Sequence, residues 1–235
     1  MRVHRSFGEV IEIKISLVKN ILDANERIAA QNRQFFAGKG VMAINMMSAP
    51  GAGKTTLIED TIRSLKNELN IAVIEGDIQS TYDAEAISAT GAQVVQINTG
   101  GACHLDANMI NETLSQLDFN PVDLLIIENV GNLVCPAEFN LGEYCKVMLL
   151  SISEGDDKPL KYPLMFYESS VLLINKIDLL PYVDCSIEKI RQESLKINPD
   201  LTIFEISCKT RQGLNDWHDW LKAERLITSN FKNKS

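Results

Sequence analysis

"MSAPGAGKTT", residues 47–56, interrupts an apolar run with glycines and then sets a lysine and two threonines at the head of a helix-forming segment. A loop so poor in side chains exposes its backbone, and the amides of Gly51, Ala52, Gly53 and Lys54 can converge on an anion where the helix begins. Side chains at Gly51 and Gly53 would block that approach. Lys54 then reaches the β and γ phosphates, Thr55 offers its hydroxyl to Mg²⁺, and Thr56 completes the contact set. The usual phosphate loop opens on glycine; Ser48 holds that place here. An accidental Gly-Lys-Thr turn would share the letters but lack both the apolar run at 41–47 before it and the amphipathic segment after it.

The same alternation continues along the chain. Apolar runs near 41–47, 71–75, 93–97, 122–127, 145–151, 170–174 and 201–205 are separated by helix candidates near 54–68, 81–90, 106–117, 186–197 and 213–225. Strands buried on both faces read as continuous apolar runs, so the pattern predicts βαβ units: an α/β, three-layer phosphate-loop NTPase fold with a largely parallel central sheet. Ligands then bind beyond the carboxyl ends of the strands. Residues 9–36 space Val10, Ile11, Val18, Ile21, Leu22, Ile28 and Ala29 as a helix would, although Ile11, Ile13, Ile15 and Leu17 alternate. We therefore divide the chain into an N-terminal helical extension, 1–40, and a phosphate-loop nucleotide-binding domain, 41–235, with no repeat or linker inside it.

A chain of 235 residues can bury a large core. With 23 basic against 31 acidic residues and a formal charge of −8, it repels phosphate backbones and anionic membranes, so nucleic acid is not an expected partner. No apolar stretch reaches the ~20 residues that cross a bilayer, and Met1-Arg2-Val3-His4 does not open a signal peptide, which leads us to expect a cytoplasmic protein without membrane insertion. Five cysteines, an odd number, suit a reducing compartment and free thiols.

"LLINKID", residues 172–178, ends an apolar run with Asn175, Lys176 and Asp178 and resembles the guanine-recognition element of GTPases. A carboxylate at Asp178 can accept from guanine N1 and the exocyclic amine; adenine presents the opposite order. Lys176 would lay its stem along the base, and "SCK", Ser207, Cys208 and Lys209, forms the third base-contacting loop. Between the two motifs, "LLIIENVG" at 124–131 stands where a Walker B strand finishes, with Glu128 for Mg²⁺ and the Gly131 amide for the γ-phosphate. "EGDIQSTYDA" at 75–84 adds Asp77 and Asp83 near the metal or the attacking water, with helix capping as the plainer role for Asp83. The expected catalytic set is Lys54, Thr55, Asp77 and Glu128, and the expected Mg²⁺ ligands are Thr55, Asp77 and Glu128.

"TGGACHLDA", residues 99–107, and "ENVGNLVCP", 128–136, bring Cys103, His104 and Cys135 to the same sheet edge. Two thiolates and an imidazole make a three-ligand set for Zn²⁺ or Ni²⁺. Adjacent residues of an extended chain point to opposite sides, so Cys103 and His104 suit a site shared between two chains. Cys145, Cys185, Cys208, His4 and His218 lack such company and read as structural or solvated.

The combination of SAPGAGKTT, EGDIQSTYDA, GGACHLDA, ENVGNLVCP, "SEGDDKPLKYP" at 153–163, NKIDLLPYVD and SCKT resembles the HypB family, SIMIBI-class GTPases of nickel insertion into nickel–iron hydrogenases, over nearly the whole chain. The resemblance implies slow hydrolysis of GTP to GDP, a GTP-promoted homodimer, Ni²⁺ or Zn²⁺ on Cys103, His104 and Cys135, and work with a HypA-type metallochaperone that serves the hydrogenase large subunit. Family members with N-terminal cysteine or histidine-rich nickel motifs have no counterpart within residues 1–40, which hold His4 alone. The urease GTPase, the nearest other relative, inserts proline between Cys and His, and Cys103-His104 does not. A plain metal carrier, the other alternative, leaves Lys54 and Asp178 without a task.

Overall fold

A computed structural model describes residues 7–77 and 81–232, with side chains described from residue 19 to residue 229. In chain order the elements are α1 (Phe7–Lys39), β1 (Met42–Ser48), α2 (Lys54–Leu65), β2 (Ile71–Asp77), α3 (Tyr82–Ser88), β3 (Gln93–Asn98), α4 (Ala107–Thr113), β4 (Leu124–Glu128), α5 (Cys135–Glu138), β5 (Cys145–Ser151), α6 (Lys158–Lys161), α7 (Pro163–Glu168), β6 (Val171–Asn175), α8 (Ile187–Ile197), β7 (Thr202–Glu205) and α9 (Leu214–Lys232). All seven apolar runs are strands, and they form one parallel sheet in the order β3-β2-β4-β1-β5-β6-β7. The segment at 9–36 lies within one helix, as its spacing predicts.

Both faces of the sheet are covered, which is why the strand residues are apolar without alternation. Met42, Ile44 and Met46 of β1 pack with Leu57 and Ile58 of α2 and with Trp217 and Leu221 of α9. The intervening Ala43 meets Phe36 of α1 and Ile110 of α4, while Met47 meets Met165 and Phe166 of α7. Trp217 fixes α9 by donating its indole N–H to Thr61 Oγ1 at 3.1 Å. Burial of each such aromatic contributes on the order of 2–3 kcal/mol from removed apolar surface. The chain runs from β1 outward over β4 to β2 and β3, and later reverses to β5, so the crevice for a ligand opens at the carboxyl end of β1.

α1 is held by polar side chains as well as by its aromatic end. Phe35 sets its ring edge-on to Phe119, centroids 5.1 Å apart. Asn32, fully buried, donates to Ala107 O at 2.8 Å and Leu141 O at 3.0 Å, and Asn25 Oδ1 accepts from Ala107 N at 2.8 Å. The close approach needs Gly142: its φ is +93°, and a Cβ there would lie 2.6 Å from Ala29 O. Gly142→Ala is expected to cost ~1–3 kcal/mol by forcing α1 off the sheet, measured as a lower urea midpoint with unchanged slope.

Candidate functional site

The phosphate loop turns from β1 into α2 through two left-handed glycines, Gly51 at φ +75° and Gly53 at φ +102°. A Cβ on Gly53 would stand 2.8 Å from Asn175 Nδ2, so the position excludes every larger residue. Lys54 opens α2 and is buried, and its Nζ donates to Ser48 Oγ at 2.9 Å. Burial holds the Lys54 ammonium below its ordinary pKa, against the pull of Glu128, Asp83 and Glu75. Ser48, which the sequence marks only as a departure from glycine, is thus the hydroxyl on which the lysine rests. Thr55 Oγ1 donates to Glu128 Oε1 at 2.9 Å. Gly131 packs its backbone against the loop, where a Cβ would come within 3.0 Å of Pro50.

These groups border a cavity of about 560 Å³ lined by Lys54, Thr55, Asp77, Asp83, Glu128 and Gly131. Glu75 also lines it, a residue that the sequence reading passed over although it opens the EGDIQ segment. Glu75 on β2 sits in register with Glu128 on β4, which brings two buried carboxylates side by side. Desolvation pushes Glu75 up to about 8 and Glu128 to about 7, with mutual repulsion adding to the rise in Glu75 and with Lys54 and the Thr55 hydroxyl opposing it in Glu128. One oxygen of each has no hydrogen-bond partner. Carboxylate oxygens of Glu75, Asp77 and Asp83 lie within 4.8 Å of one another. Hard oxygen donors with unsatisfied lone pairs beside a threonine hydroxyl fit Mg²⁺. Asp83 lies in the first turn of α3, and the cap position is Thr81, so of the two roles open to Asp83 the plainer one, helix capping, is not the one found.

The base end is built on Asn175, buried at the end of β6, whose Nδ2 donates to Ala52 O at 2.9 Å and whose Oδ1 accepts from Cys208 N at 3.4 Å. Lys176 takes a left-handed φ of +63° and donates Nζ to Gly51 O at 2.7 Å. Asp178 Oδ1 accepts from Ser207 Oγ at 2.6 Å, which orients the carboxylate. Asp178, Lys176, Cys208 and Lys209 line a cavity of about 270 Å³ that shares Gly53, Thr56 and Lys176 with the phosphate cavity. One elongated cleft therefore passes from the Lys54 ammonium to the Asp178 carboxylate.

Cys103 Sγ lies 3.0 Å from Cys135 Sγ and 3.7 Å from His104 Nδ1, and one ligand atom of each residue falls within 4.8 Å of the others. This corrects the expectation that Cys103 and His104 point apart. Gly100 and Gly101 bend the chain with φ of +60° and +102°, so the pair follows a turn and not an extended strand, and the three converge within one chain. His104 stacks on Phe139, centroids 3.9 Å apart. Burial lowers the His104 pKa and favours the neutral ligand form, whereas the thiol–thiol hydrogen bond shared with Cys103, which favours the protonated form of Cys135, raises that of Cys135. Binding a cation must then expel thiol protons. Apparent nickel or zinc affinity is expected to rise roughly tenfold per pH unit for each proton released, and a titration across about pH 6–8 with a competing chelator reads the slope.

The three remaining cysteines lie apart from the trio: burial drives Cys145 up to about 12 and Cys208 to about 11 and also raises Cys185, as inert thiols. His218 is buried 3.6 Å from Asp60, and His4 falls outside the described residues.

Residues 42–205 match the family described as CobW/HypB/UreG, nucleotide-binding domain. The hydrogenase maturation factor HypB of Escherichia coli strain K12 is 46% identical over 92% of this chain and 73% of its own length. Among solved structures, HypB from Helicobacter pylori in complex with nickel superposes with a TM-score of 0.84 at 37% identity, covering 88% of this chain and 97% of that one. HypB from Archaeoglobus fulgidus gives 0.82 at 41% identity, over 86% and 99%. With a phosphate loop and a Cys-His-Cys trio on one edge of the sheet, and with this likeness over nine-tenths of its length, the chain belongs to the HypB family of nucleotide-binding P-loop proteins.

Proposed function

We propose that this protein is a GTP-hydrolysing metallochaperone that carries nickel or zinc on Cys103, His104 and Cys135 and assists nickel insertion into a nickel–iron hydrogenase. The observation that carries the reading is the convergence of two thiols and an imidazole, within 4.8 Å, beside the loop that follows Glu128. A plain metal carrier would need neither Lys54 nor Asp178, and the nickel complex of a relative at 37% identity favours nickel as cargo.

Lys54, already desolvated, and the α2 amides neutralise the terminal phosphates, and Thr55, Glu128 and Asp77 are the residues that would hold Mg²⁺, which would supply further charge neutralisation. Asp77 orients the attacking water, and the Gly131 amide turns toward the γ-phosphate. Asp178, oriented by Ser207, accepts from guanine, with Asn175 bracing the base loop against the phosphate loop. Turnover is slow because no arginine stands in the switch segments at 75–84 and 128–136 to serve as a finger. A homodimer promoted by GTP, a HypA-type metallochaperone as metal-handling partner and the hydrogenase large subunit as the downstream recipient complete the reading, with a cytoplasmic site of action. Among described residues no helix is long and apolar enough to cross a membrane.

Nickel and zinc titrations of the purified protein with GDP and with a non-hydrolysable GTP analogue, followed by affinity and by mass, test it. Metal affinity and mass are expected to change with the nucleotide; identical values in both states would leave a carrier with nucleotide as a structural ligand only. Asp178→Asn is expected to move preference from GTP toward xanthosine nucleotides, and equal affinity of the parent for ATP and GTP would overturn the guanine assignment.

A further inference from the structure

A chain of hydrogen-bonded, buried polar side chains runs from the loop after Glu128 to the segment that follows Cys103 and His104. Asn129, the residue after Glu128, is 1% exposed, and its Oδ1 accepts from Leu105 N at 3.1 Å and from Val130 N at 2.9 Å. Its Nδ2 donates to Asn45 Oδ1 at 3.1 Å, and Asn45 in turn donates to Glu143 Oε1 at 3.4 Å. Glu143 Oε2 accepts from Leu141 N at 2.6 Å, and Leu141 O shares the Asn32 amide with Ala107 O. Leu105 follows His104 directly, and Val130 precedes Gly131. One carboxamide oxygen therefore joins the backbone of the loop that carries Cys103 and His104 to the backbone of the loop that borders the phosphate cavity.

We propose that Asn129 is the positioning residue that couples the phosphate site to the Cys103–His104–Cys135 trio. This rests on the nucleotide-coupled metal reading above and names the side chain that transmits it. Any rotation of the 130–131 peptides toward a γ-phosphate breaks or tightens the Val130 N–H bond, and the oxygen that accepts it also accepts from Leu105. Its other end is fixed by Asn45 on β1, the strand that enters the phosphate loop, so the side chain cannot drift to follow one partner alone. Buried amides left without an acceptor are costly, and the two loops are therefore obliged to shift together. The remaining bond from Asn32 reaches the same segment at Ala107 from α1, none of whose described residues lines the phosphate cavity.

The test compares nickel affinity in the GDP and GTP-analogue states for the full-length parent, Asn129→Ala, Asn129→Asp and Asn32→Ala, with GTP affinity measured alongside. The parent is expected to show a ratio of at least about fivefold between states. Asn129→Ala collapses that ratio toward unity. Asn129→Asp, whose carboxylate keeps an acceptor oxygen for the Leu105 and Val130 amides, restores most of it. Asn32→Ala weakens nickel binding by one factor in both states and leaves the ratio. Amide exchange at Leu105 in the parent gives a readout that needs no variant: its protection is expected to differ between nucleotide states. A ratio retained in Asn129→Ala, a ratio lost as fully in Asn32→Ala, or a Leu105 amide indifferent to nucleotide overturns the inference while the metallochaperone reading stands. A parent ratio of unity overturns the reading itself, and the coupling with it.

Discussion

Lys54→Ala is expected to lower GTP hydrolysis by ~10²–10³-fold or more, with the far-ultraviolet circular dichroism unchanged. The magnitude follows from what the lysine does. Phosphoryl transfer offers the protein little covalent chemistry, so catalysis is positioning and charge neutralisation, and removing one preorganised donor in a water-poor site costs on the order of 3–4 kcal/mol. Lys54 is buried and held by Ser48, so its orientation is set before nucleotide enters, and none of the reorganisation falls on the reacting complex. The fold tolerates the change because the ammonium is the expensive part: burial already depresses its pKa, and alanine removes a desolvated charge from α2 without opening the apolar core beneath Leu57 and Ile58. Thr55→Ala is expected to act in the same direction through the lost contact to Glu128. Single-turnover hydrolysis at saturating GTP reads both, and parental rates in the two variants would mean that the loop does not hold the reacting phosphates.

The second large effect concerns the thiols. Replacing Cys103, His104 and Cys135 together by alanine is expected to lower nickel and zinc affinity by far more than the ~10–100-fold that loss of a supporting contact around a metal produces, since here the ligands themselves are removed. GTP binding is expected to persist, because Asp178, Asn175 and Lys54 lie along a separate cleft and none of them bonds to the trio. Each single Cys→Ala exchange is expected to weaken the metal and hydrogenase maturation by a smaller factor. Parental affinity for both metals in the triple variant, in both nucleotide states, would remove the trio from metal handling altogether.

The architecture was legible because burial on both faces makes the five inner strands near-continuous apolar runs, and the half-buried edge strands β3 and β7 still carry apolar cores, so seven runs gave seven strands. The lateral order β3-β2-β4-β1-β5-β6-β7 was not, since neighbours such as Met46 and Glu128 are far apart in sequence. The short helices α5, α6 and α7 escaped notice because elements of 4, 4 and 6 residues cannot display a 3.6-residue period. At the site, glycines and the Asn-Lys-x-Asp pattern announce local backbone needs and are readable in place. Glu75 and Asn129 act through partners brought beside them by strand pairing, so nothing in their own neighbourhood of sequence marks them, whereas Ser48 meets Lys54 six residues on in the same loop and is marked only as a departure from glycine. The divergence expected of Cys103 and His104 failed for a local reason, the bend that Gly100 and Gly101 impose.

Glu75 and Glu128 give the nucleotide cleft a second currency. With one carboxyl raised to about 8 and its neighbour to about 7, the ligand-free pair holds roughly one proton or more at neutral pH. Cations drawn in by the phosphates favour the ionised carboxylates, so nucleotide uptake releases protons to the medium. Calorimetric heats of GTP binding are then expected to vary with the ionisation enthalpy of the buffer, the slope against that enthalpy counting the protons, and Glu75→Gln is expected to flatten it.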